Sequence, residues 1–95
     1  MSESKWTPGP WRIDPCWDVL GNTDDGNGLV CAVTHDAVPV DEARANARLI
    51  AAAPSMYEAL RRLVIEAELD GMDKRPGWDA WVSQGRAALR LAEGE

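Results

Sequence analysis

Cys16, Cys31 and His35 carry the richest intrinsic chemistry in this chain: two thiols and its one imidazole. A thiolate beside an imidazole is a nucleophile–base pair, and two cysteines, a histidine and a carboxylate could make a zinc set. The spacing argues against both. The cysteines form no CxxC pair. Cys31 and His35 lie on a stretch that reads as a strand, four residues apart and on one face. At ~3.3 Å per residue they stand about 13 Å apart, far beyond the ~3 Å that proton transfer needs. Cys16 with His35 stays open as a pairing, though nothing in the spacing draws them together. Carboxylates are plentiful, but Asp24-Asp25 sits in a turn cluster, and Glu66 and Glu68 sit on a polar helix face. A calcium-loop alignment on Gly26 puts Gly21 and Ala32 where the first and last carboxylate ligands are required, so it fails. No G-x-G-x-x-G or Walker pattern occurs. The chain reads as a non-enzyme, with no cofactor and no metal.

Binding chemistry is better represented. Tryptophan occurs five times and phenylalanine not at all. Indole faces stack on bases, and guanidinium groups pair with phosphates. Trp11 and Trp17, with Arg44, Asn46 and Arg48, are the candidate ligand-binding residues, with a nucleotide as the ligand they suit and an oligomer interface as its setting. Trp6 and Trp11 flank Thr7-Pro8-Gly9-Pro10. They read either as rings packed on proline over an end of the core or as an aromatic platform. The net charge of −6 and the lack of any basic run longer than a pair, such as Arg61-Arg62, argue against generic nucleic-acid binding. That does not exclude a local basic pocket: Arg44 and Arg48 are four apart and share a helix face.

The elements that position these residues follow from periodicity. Trp11–Asp14, Trp17–Leu20 and Leu29–Thr34 read as short antiparallel strands. Pro15 interrupts the first two, and Gly21–Gly28 is a long hairpin loop. Leu29–Thr34 is apolar on both faces and reads as the central strand. Three helices follow, at about 41–53, 54–69 and 76–92, giving an α+β fold. Asp41 is the expected N-cap of the first. Its apolar arc holds Ala43, Ala47 and Ile50, extended by Leu49 and Ala53, with Asn46 inside it and Arg44 and Arg48 opposite. The small alanines invite close approach of another backbone, and the Pro8–Trp11 turn is the expected neighbour. A buried Asn46 would pin a loop or line a polar pocket. Pro54 ends this helix and suits the first turn of the next. Met56, Leu60, Leu63, Val64 and Ala67 form the second buried face, closed by Asp70-Gly71. Trp78, Trp81, Val82, Gly85, Leu89 and Ala92 form the third, where Gly85 makes room for a neighbour.

The 95 residues suit a single domain, with 1–5 and 93–95 as frayed tails. The start MSESKWTPGPW lacks the apolar core of a signal peptide, and no stretch approaches the ~18 apolar residues of a membrane span. A reducing cytoplasmic setting is the expectation.

Two motifs in order, Thr7-Pro8-Gly9-Pro10-Trp11 and Ala45–Pro54 (ANARLIAAAP), are followed by Ser55-Met56-Tyr57-Glu58-Ala59-Leu60. Together they resemble a group of small proteins encoded by bacteriophages and prophages, in which a leucine pair stands where this chain has Met56-Tyr57. The resemblance covers roughly residues 6–65. It implies a phage accessory gene acting in the bacterial host cytoplasm, and it brings no activity with it. Small acidic phage accessory proteins are often antagonists of host defence. Some occupy a surface of a CRISPR effector, and others sequester a nucleotide second messenger, as in Thoeris or CBASS signalling. Some Thoeris sponges also place a β-rich part before two C-terminal helices. The expected function is therefore sequestration of a nucleotide signal by a homo-oligomer. The alternatives are protein–protein inhibition of a host defence protein and a structural or regulatory phage role.

Overall fold

The computed structural model describes residues 6–23, 28–32 and 38–94. The chain forms two compact units, Met1–Ser55 and Met56–Glu95. The first holds a three-stranded antiparallel sheet in the order β1 (Arg12–Ile13), β2 (Val19–Leu20), β3 (Leu29–Cys31), followed by helix α1 (Val40–Ala51). Helix α2 (Ala53–Leu69) starts at the end of this unit. A 3-10 turn (Met72–Lys74) and helix α3 (Trp78–Ala92) complete the second. This is the α+β order of strands followed by three helices that the periodicity predicts.

The sheet is a meander with β2, not β3, at its centre. Arg12 pairs with Leu20 and Ile13 with Val19. On the other side Val19 faces Cys31 and Leu20 faces Leu29, so one residue of β3 is bulged out. Apolar residues on both faces suggested a central β3, but Leu29 is 57% exposed, whereas Val19 is 0% exposed. The central position goes to β2, whose Val19 is fully buried. Thr34, His35 and the Asp24-Asp25 loop lie outside the described residues, as do the chemical readings built on them.

Helix α1 lies on β1 and β2. Ala43 and Ala47, 3% and 0% exposed, face the sheet. Their small side chains suit a backbone neighbour, and that neighbour is the sheet rather than the Pro8–Trp11 turn expected there. The helix begins one residue before the expected N-cap: Pro39 occupies that position with extended backbone, and Asp41 falls in the first turn, where it complements the helix dipole. The N-terminal turn closes one end of this unit. Asn22 N–H donates to Pro8 O at 2.8 Å, and Gly21 N–H donates to Gly28 O at 2.6 Å. A β-carbon on Gly9 would lie 3.1 Å from Pro54 Cβ. The Thr7–Trp11 turn thus meets Pro54 in the first turn of α2, just past the end of α1. The Gly9-Pro10 peptide bond is cis.

In the second unit α2 and α3 form an antiparallel hairpin. Val64 and Val82 are buried, and a β-carbon on Gly85 would lie 2.8 Å from Val64 Cγ2. Gly85 therefore makes room for Val64, as its mid-helix position suggested. Gly71, in the left-handed region at φ 72°, terminates α2. Gly77, at φ 88°, delays α3 to Trp78, two residues beyond the proline expected to open it. The buried faces are narrower than the periodicity suggests. Leu63 is 68% and Trp81 67% exposed, and Met56, Trp78 and Ala92 are exposed too.

Polar contacts clamp both ends of the hairpin. Arg86 pairs with Glu68 and, at 3.2 Å, with Asp73. The Tyr57 hydroxyl donates to Glu93, in the stretch expected to fray. That hydrogen bond, with some desolvation, raises the Tyr57 pKa above its usual value near 10. As pH rises past about 10 the unfolded chain loses this proton first, so the folded state is progressively disfavoured. The contribution is complete below pH ~10 and disappears as pH passes through the raised value. Melting temperature measured between about pH 8 and 11 should fall more steeply for the wild type than for Tyr57→Phe. Parallel curves would show that the contact carries no such linkage.

Candidate functional site

The turn between β1 and β2 is specified by its residues. Asp14 and Pro15 occupy the first two positions of a β-turn, which both favour. Trp17 N–H closes the turn onto Asp14 O at 2.9 Å, and Asp14 N–H reaches Asp18 O at 3.0 Å. The Asp14 carboxylate oxygen Oδ1 accepts from the backbone N–H groups of Cys16 and Asp18, both at 2.9 Å. This is a three-residue hairpin loop, whose last residue adopts the left-handed conformation. Glycine is the usual occupant; here it is Trp17, with φ 66°. Pro15, read as an interruption, is the residue that makes the turn. The Asp-Pro start was the signal for the loop, and counting three residues on from Asp14 leads to the left-handed position.

The loop places the indole against α1. The guanidinium carbons of Arg44 and Arg48 lie 5.1 Å and 5.4 Å from the Trp17 ring centroid, within cation–π range. Successive turns of one helix supply the two charges, so their spacing is fixed by the backbone. Among the described residues neither arginine is in an ion pair. An open, shallow cleft beside them is lined by Ile13, Asp14, Pro15, Trp17 and Arg48. In a chain of net charge −6 this is a local pair of cations against an aromatic surface, with one carboxylate at the rim. Such an arrangement can hold an anionic group and stack a flat ring.

Three of the five candidate residues, Trp17, Arg44 and Arg48, are thus brought together. The other two are not in that group. Trp11 is half-buried, and its indole N–H donates to Thr7 O at 3.0 Å within the N-terminal turn. Asn46 is exposed, which overturns the expectation of a buried amide pinning a loop or lining a pocket. The reason lies in the roll of α1. Taking about 100° per residue, the sheet-facing direction runs through Ala43 and Ala47 toward the arginine side. Asn46 points about 180° from the midpoint of Arg44 and Arg48. Leu49, which seemed to extend the apolar arc, is 62% exposed on that outer side.

No helix among the described residues is long and apolar enough to cross a membrane. No group of three or more potential metal-ligating side chains converges among them. No curated protein and no solved structure matches the chain. The sequence profile of a family described as Salmonella phage P22 protein Y8K6 matches residues 1–95, and the chain belongs to that phage protein family.

Proposed function

We propose that this phage protein is a non-enzymatic binding protein that sequesters a nucleotide second messenger of host defence, acting in the bacterial cytoplasm. One observation carries the reading: two guanidinium groups that enter no ion pair among the described residues, held at the face of an indole that is itself fixed in a tight turn. A nucleotide offers the two matching parts, a phosphate for Arg44 and Arg48 and a base for the aromatic surface. The cleft along Ile13, Asp14 and Pro15 is open to solvent beside Trp17 and Arg48, so it sets no upper limit on the size of a ligand. Asn46 has no part in this set, because the helix turns it away.

Melting temperature in a panel of cyclic dinucleotides, cyclic trinucleotides and cyclic ADP-ribose isomers tests the reading. A ligand at about 100 times its Kd stabilises the native state by about 2.7 kcal/mol. For a chain of this size that is a rise of roughly 10–20 °C. The rise should disappear in Arg44→Ala/Arg48→Ala, while Asn46→Ala keeps it. A panel without any shift sinks the nucleotide reading. Inhibition of a host defence protein would then be the reading to pursue, by co-purification from infected cells.

A further inference from the structure

The α2–α3 hairpin leaves one of its two faces apolar and open. Directions around each helix can be referred to the seam. Val64, Leu60, Tyr57 and Glu68 mark it on α2, and Gly85, Arg86 and Glu93 mark it on α3. At about 100° per residue, Met56, Leu63 and Ala67 then lie a quarter-turn to one side of the α2 seam. Trp81, Ala88 and Ala92 lie to the same rotational side of the α3 seam. Because the helices are antiparallel, these two flanks form a single ribbon on one face. Trp78, nearer the seam, continues it toward the start of α3. The opposite face carries Glu58, Arg61, Asp79, Ser83 and Arg90, with Ile65, 40% exposed, among them.

The ribbon is exposed where it is largest. Met56, Leu63, Trp78 and Trp81 are 47%, 68%, 52% and 67% exposed. With the intervening alanines they present roughly 600 Å² of apolar surface, at the upper end for the largest patch on a monomer. Among the described residues the same unit buries only Val64, Val82 and Gly85. A two-helix hairpin with so small a core does not stand alone, and units of this size usually gain stability from association.

We infer that this face is the interface of a homodimer, in which two hairpins stack through their apolar ribbons into a four-helix arrangement. Area and charge both select a second copy. Two such faces bury about 1,200 Å² in total, the lower bound of a specific, stable interface. Each copy carries −6, which opposes self-association as a whole, so the contact needs an uncharged apolar face to drive it. The helical part of the ribbon holds no charged side chain, so two identical faces meet without like charges in contact. Ala67, Ala88 and Ala92 let the helices approach while the indoles fill the space between them. A two-fold axis makes the same patch serve both sides.

Sedimentation equilibrium of the full chain at micromolar concentration tests this. The chain mass is 10.4 kDa, so a species of about 21 kDa is expected. Leu63→Glu and Trp81→Glu should each give monomers, while Ser83→Glu on the charged face stays dimeric. Should either variant lose its helical signal, the wild type still decides: a dimer's melting temperature rises with protein concentration. A monomeric wild type with a concentration-independent melting temperature overturns the proposal. So does a dimer that survives both ribbon substitutions, or one that Ser83→Glu breaks equally.

Discussion

A single methyl group at position 21 should destabilise this fold by about 2 kcal/mol, within the usual range for overpacking a tight site. Gly21 is buried at the end of β2, beneath the N-terminal turn. A β-carbon there would stand 2.1 Å from Thr7 Cγ2, 3.2 Å from Thr7 Cβ and 3.4 Å from Pro8 O. Thr7 is β-branched and stiff, and rotating its side chain moves the methyl but not Cβ. The backbones cannot separate cheaply either. Gly21 N–H is bonded to Gly28 O, and Asn22 N–H to Pro8 O, so moving the turn outward stretches the bond that ties it to the sheet. Urea denaturation of Gly21→Ala, Thr7→Ala and the double variant measures this. The double variant should recover at least about 1 kcal/mol, because the worst clash is then absent. Equal cost of Gly21→Ala in both backgrounds would show that Thr7 is not the obstacle.

That packing shows which parts of the fold were legible in the sequence. The Gly21–Gly28 stretch announced a hairpin loop, and Gly21 and Gly28 do bond across its base. The Thr7–Trp11 turn and Pro54 were each readable as punctuation, and they meet at Gly9. Gly71 ends α2 and Gly85 admits Val64, both for reasons visible in residue type. The roll of α1 was not readable. A helix rich in alanine offers several arcs of similar apolarity, so Leu49 and Ile50 drew the inferred face toward themselves and carried Asn46 inside it. The sheet instead takes Ala43 and Ala47, and Arg44 and Arg48 flank that contact. An arginine reaching across an indole looks in sequence like an arginine facing water. The outer flanks of α2 and α3 were misread for a related reason. Periodicity marks every apolar position as buried, whether its partner is the same chain or another one.

The site itself was half legible. Residue chemistry pointed to Trp17, Arg44 and Arg48 as a binding set, but only the hairpin geometry unites them. Trp17 occupies the left-handed slot of a three-residue loop, where an L-residue costs roughly 1–2 kcal/mol relative to an unstrained conformation. Glycine carries no such penalty. The site therefore separates stability from binding. Trp17→Ala keeps the strain and loses both the ring packing and the cation–π contacts. Trp17→Gly loses the same contacts and releases the strain, so it should be more stable than Trp17→Ala by about 1 kcal/mol. That is the reverse of the order expected at an ordinary strand position. Binding should not follow stability. Stacking on an aromatic ring contributes about 1–3 kcal/mol per base, so both variants should lose roughly ten- to a hundredfold in affinity for any nucleotide that shifts the wild-type melting temperature. Loss of affinity in both variants, together with the reversed stability order, would mark a strained residue held for a ligand. Urea titration alongside ligand titration of the two variants decides the matter. Should Trp17→Gly bind as tightly as the wild type, the indole is only a cover for α1, and the ligand site lies elsewhere.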